Sequence, residues 1–129
     1  MGSQASEPVG SGRDCLASAE HDVTTIREAL NLLEPGRPDE VTARRLMEAH
    51  GRLAREATAS GWLAIAEVAM SGQTVFRRLV ARTDGLTPDE LRFLTNVTRA
   101  LEDLVTAIRT GQDEAYALMA DLAGTRDGG

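Results

Sequence analysis

Apolar side chains in this chain return at steps of three or four residues, a rhythm that suits packed helices and little else. Leu16, Ala19, Val23, Ile26, Leu30 and Leu33 make the first such stripe, and Leu91, Leu94, Val97, Leu101, Leu104 and Ile108 the last. An α-helix turns once in 3.6 residues, so each set lies along one side of a cylinder and must be covered by a neighbour. Between them, Leu46, His50, Leu53 and Ala57 mark a second helix, and Ile65, Ala69, Phe76 and Leu79 a third. No stretch alternates apolar and polar residues with β-branched enrichment, so no strand is expected.

The punctuation agrees with this reading. Pro35-Gly36-Arg37-Pro38 cannot continue a helix, and Asp39 and Glu40 suit the start of the next. Ser60-Gly61 and Asp84-Gly85 interrupt the pattern again, and Thr87-Pro88-Asp89-Glu90 spells a capping box with proline at the first helical position. Gly111 is expected to end the fourth helix, leaving a short fifth over 113–122. The expected fold is therefore all-α: an antiparallel four-helix bundle with a short fifth C-terminal helix. Residues 13–124 form the bundle domain, and the Gly- and Ser-rich 1–12 and Gly-rich 125–129 are expected as flexible tails. The expected core comprises Leu16, Val23, Ile26, Leu30, Leu46, Leu53, Ile65, Phe76, Leu79, Leu94, Leu101 and Leu104.

Composition removes several classes of function. The 129 residues suffice for one independent core. Cys15 is alone, so neither an internal disulfide nor a cysteine zinc cluster can form, and a reducing cytoplasm is the expected compartment. A net charge of −6 argues against a nucleic-acid partner. All 14 basic residues are arginine, which excludes lysine chemistry, and four aromatic residues give no base-stacking platform. No apolar run is long enough for a membrane span, and the first residues lack the basic and apolar regions of a signal peptide.

Only two histidines are present. His21 lies between Glu20 and Asp22 and reads as solvated, whereas His50 falls in phase with the apolar stripe of the second helix. Neither has glutamate three residues earlier (the positions hold Ser18 and Met47), so the Glu-x-x-His pattern of a di-iron bundle is missing. No metal and no cofactor is expected. Neither a G-x-S-x-G elbow nor a phosphate-binding glycine loop occurs. Arginines crowd the second helix at Arg44, Arg45, Arg52 and Arg55 and the end of the third at Arg77, Arg78 and Arg82, which offers a surface for carboxylates.

The run Ala49-His50-Gly51-Arg52-Leu53-Ala54-Arg55-Glu56-Ala57, followed by Ser60-Gly61-Trp62-Leu63-Ala64-Ile65-Ala66, resembles the signature region of histidine phosphotransfer domains of the chemotaxis-kinase kind. In that family an H-x-x-K-G helix precedes a glycine break and a further helix. Alignment on Gly61-Trp62 puts Gly51 at the phosphorylated histidine, Ala54 at the lysine and Arg55 at the glycine, so the motif is degenerate. His50 is displaced by one residue, about 100° around the helix, which turns it toward the interior. The resemblance implies a protein-binding module of two-component or chemotaxis signalling without phosphoryl transfer. Its partner would be a receiver domain or a histidine kinase, met through Arg44, Glu48, Gly51, Arg52 and Arg55. Two other readings are an active relay phosphorylated on His50 and a homodimerising scaffold without signalling chemistry.

Overall fold

A computed structural model describes the backbone of residues 11–128 and the side chains of residues 15–123. Four helices account for the architecture: α1 (Ser11–Leu30), α2 (Glu40–Ser60), α3 (Leu63–Ala81) and α4 (Pro88–Gly128), with no strand among the described residues. Each helix packs on the next in the chain and α4 returns to α1, the α2–α3 contact being the most extensive. Cross-helix pairs show the register. Ser18 reaches Glu56 and Asp22 reaches Arg52, so numbers rise along α1 as they fall along α2. The same holds for Glu20 with Arg109 and Arg27 with Glu102 between α1 and α4.

The helix ends follow their sequence signals. Asp39 caps α2 by accepting from the Thr42 amide at 3.1 Å, a bond to the carboxylate that holds its pKa below the usual range. Gly61 ends α2 at φ +80°, and the amide of Trp62 reaches back to the Ala57 carbonyl at 2.8 Å, the six-residue return of a Schellman turn. The capping box forms as spelled. The Glu90 amide donates to Thr87 Oγ1 and the Thr87 amide to Glu90 Oε1, both at 3.0 Å. Arg82 adds a two-pronged clamp on the Glu90 carboxylate at 2.7 and 2.8 Å, pulling that carboxyl down to about 2.

The core is the expected one. Every residue proposed for it is buried except Leu104, which is half-buried and packs against its edge. Phe76 is fully enclosed, with the His50 ring beside it.

Three expectations at the chain ends are corrected. No fifth helix starts after Gly111, because α4 continues unbroken to Gly128. One glycine costs a helix interior only about 1 kcal/mol, and the formers on both sides of it outweigh that. Helix also occupies 125–128, where a tail was expected, since each added residue extends an existing hydrogen-bond ladder without a new nucleus. At the other end α1 begins at Ser11, inside the segment 1–12 expected as a tail; residues 1–10 lie outside the described residues, as does Gly129.

Candidate functional site

His50 faces inward. Its side chain is 1% exposed, and its ring lies 5.3 Å from that of Phe76. Nδ1 sits 2.7 Å from the carbonyl oxygen of Leu46, one turn earlier. A carbonyl only accepts, so Nδ1 carries the proton and Nε2 holds the lone pair. That lone pair has no partner among the described residues and lies against the backbone of Gly72. Burial pushes the imidazole pKa down, and the Leu46 hydrogen bond opposes this only in part. The result is a neutral ring whose remaining nucleophilic nitrogen is closed to solvent in this packing.

The surface of α2 beside it is built differently. Arg44, Glu48, Gly51 and Arg55 are spaced four, three and four residues apart and share one face. Gly51 is covered by Gln73 of α3, whose amide nitrogen lies 2.5 Å from the place a Cβ would take. Next to it, Ala54, Arg55, Thr58 and Ala59 of α2 and Met70 and Gln73 of α3 line a shallow, mainly apolar groove. Arg44 is paired with Glu40 at 2.8 Å, whereas no carboxylate of the described residues lies within 4.0 Å of the Arg55 guanidinium.

Arg52 does not belong to this face. One residue beyond Gly51, it turns toward α1, where its Nε donates to Asp22 Oδ1 at 3.0 Å. Of the five residues expected to meet a partner, Arg44, Glu48 and Arg55 are exposed on one face, Gly51 is buried beneath Gln73, and Arg52 is exposed on the α1 side, paired with Asp22.

That ion pair opens onto a cluster which sequence reasoning missed. Asp22 is 2% exposed, and its carboxyl adjoins that of Glu56, which also accepts from Ser18 Oγ at 3.0 Å. Asp22 Oδ2 and Glu56 Oε1 are both buried without a hydrogen-bond partner among the described residues. Desolvation and the Asp22 carboxyl raise the Glu56 pKa, against the pull of Ser18 and Arg52. The available signal was the position of Asp22 between Ala19 and Ile26, in step with the buried stripe of α1.

No group of three or more histidine, cysteine, aspartate or glutamate side chains among the described residues is arranged to hold a metal ion. No helix among them is long and apolar enough to cross a membrane. Comparison with family models, with curated proteins and with solved structures finds no match.

Proposed function

We propose that this chain is an antiparallel helical bundle of the phosphotransfer-like kind that works as a protein-binding module in two-component or chemotaxis signalling. It binds a receiver domain or a histidine kinase in the cytoplasm and carries no phosphoryl group. The observation behind this reading is the division of labour on α2: His50 is buried at 1% exposure while Arg44, Glu48 and Arg55 are exposed on the outer face. A phosphoryl carrier needs an accessible ring nitrogen, and here Nε2 is enclosed beside Gly72 and Phe76. An exposed guanidinium beside a shallow apolar groove suits an acidic protein surface, which is what a receiver's aspartate-rich pocket presents. The cross-helix pairs that run in opposite directions along α1 and α2 support the antiparallel form. The naming of a receiver or kinase as partner rests on the resemblance in residues 49–66.

Titration of the purified chain against the receiver domains and histidine kinases of its host tests the reading. Binding to at least one is expected, weakened about tenfold by Arg44→Glu with Arg55→Glu, since like charges would then meet. No acid-labile phosphate should appear on the chain. Absence of binding across the panel, or stable phosphate lost in His50→Gln, would overturn the proposal.

A further inference from the structure

The buried face of α1 carries a carboxyl group. Asp22 is 2% exposed and sits between Ala19 and Ile26, both fully enclosed. The carboxyl of Glu56 adjoins it from α2. Two donors serve the outer oxygens: Arg52 Nε donates to Asp22 Oδ1 and Ser18 Oγ to Glu56 Oε2, each at 3.0 Å. The other two oxygens, Asp22 Oδ2 and Glu56 Oε1, are buried and have no partner among the described residues. An ionised carboxylate only accepts, so two of them cannot satisfy each other. A protonated carboxyl also donates, and one hydrogen between these two oxygens would satisfy both.

Charge makes the same demand. Like charges this close favour protonation of one group unless cations match them, and Arg52 alone forms an ion pair with the cluster among the described residues. The surrounding charged groups are engaged or turned away. Arg109 and Glu102, which α4 presents to α1, pair with Glu20 and Arg27. Arg55 lines the groove toward α3, and Glu48 and Arg45 are exposed about one and two turns along α2 from Arg52. On α1, His21 is exposed and Cys15 lies about two turns from Asp22. No arginine of α3 comes within 4.0 Å of either carboxyl among the described residues. Desolvation, then the Asp22 carboxyl, raises the Glu56 pKa in keeping with this arrangement.

We propose that Asp22 and Glu56 form a proton-binding site, one proton held between Asp22 Oδ2 and Glu56 Oε1, which clasps the first half of α1 to α2 and releases it when the proton passes to water. Its loss leaves two unmet acceptors and a second negative charge in the contact. The turns over 15–22 then open more readily. The second half of α1 keeps Ile26 and Leu30 in the core and Arg27 on Glu102. This inference stands apart from the receiver-binding proposal, because its readouts need no partner.

Carbon-13 NMR of the side-chain carboxyl groups in the full chain, from about pH 3 to pH 9, reads the site directly. The carboxyl carbons of Asp22 and Glu56 should shift together in one step above the ordinary glutamate value of about 4.3. Amide hydrogen exchange, corrected for its intrinsic pH dependence, reads the clasp. Protection over 15–22 relative to 26–30 should be greatest below about pH 4.3 and fall by up to about tenfold per pH unit above it, the limit for one proton released on opening. It should level off once the folded pair has lost its proton. Glu56→Gln puts an amide hydrogen in place of the proton, so its protection should stay near the parent's low-pH level throughout. The carboxyl titration needs no variant and decides even where Glu56→Gln fails to fold. Two carboxyl groups that titrate separately within the ordinary range, as they would with a water between them, would overturn the proposal. So would an equal fall in protection in Glu56→Gln.

Discussion

His50 and Gly72 share one space: a Cβ on residue 72 would lie 2.5 Å from Cδ2 and 2.6 Å from Nε2 of the imidazole. The closeness is one-sided. The ring is held by its bond to Leu46 and by Phe76, so it cannot retreat without losing both contacts.

Gly72→Ala should therefore destabilise the fold. Alanine is the better helix former by about 1 kcal/mol, but overpacking of this kind costs about 1–3 kcal/mol, and the clash should win. Urea unfolding of the single variants and of Gly72→Ala with His50→Ala checks the cause. In the double variant the penalty of the new methyl should largely vanish, and a penalty of equal size there would show that His50 is not what the methyl meets.

Two buried titrations should oppose each other. The folded pKa of His50 is lowered, so the unfolded chain binds the proton more readily, and stability falls as pH drops below about 6.5 toward the folded value. The folded pKa of Glu56 is raised, so its contribution is complete below about 4.3 and is lost as pH rises through the folded value. His50→Leu should flatten the first slope, and Glu56→Gln, whose amide can donate to Asp22, the second. Unfolding midpoints measured from pH 4 to pH 8, roughly the span of both pKa values, read the two slopes separately.

The start of α4 should be sensitive to acid. Glu90 titrates at about 2 because Arg82 and the Thr87 amide favour its charged form, so its contribution is present above about 4.3 and is lost as pH falls toward 2. Thr87→Ala removes the other half of the box and should cost about 1 kcal/mol at neutral pH. Chemical denaturation of both the parent and Thr87→Ala at two pH values measures each effect.

Gly111 discriminates a through-going helix from a break. Its surroundings hold nothing within 4 Å of an added Cβ, and its φ is not positive. Gly111→Ala should accordingly stabilise α4 by about 1 kcal/mol, with a gain in helical ellipticity. A loss of stability would mean that residue 111 needs a left-handed conformation, as it would at the end of a helix.

The order of helices and the core were legible because both depend on period and punctuation, which one sequence records. The stripe from Leu16 to Leu33, the Gly61 stop and the Thr87–Glu90 box needed no knowledge of neighbours. His50 facing inward was readable for the same reason. What stayed hidden depends on partners far apart in the chain. Arg44 and Arg52 look alike as sequence, yet Asp22, thirty residues from Arg52, takes only the second. Gly111 misled because one glycine costs a helix interior only about 1 kcal/mol, which the helix formers on both sides of it outweigh. Here α4 outruns its packing and stays helical.

The loops at one end of the molecule are stitched together: the Gly36 amide donates to the Leu86 carbonyl at 2.8 Å, and Gly85 lies against the backbone of Arg37. At the opposite end stand the Gly61 turn, the start of α1 and the projecting part of α4. The molecule thus has a sealed pole and an open one, and both described chain ends leave from the open pole. A tension applied between those ends would peel α1 from α4, loading Glu20–Arg109 before Arg27–Glu102 rather than shearing both at once. Mechanically the domain is a zipper with its pull tab at one pole, and it should yield at low force however stable it is to denaturant.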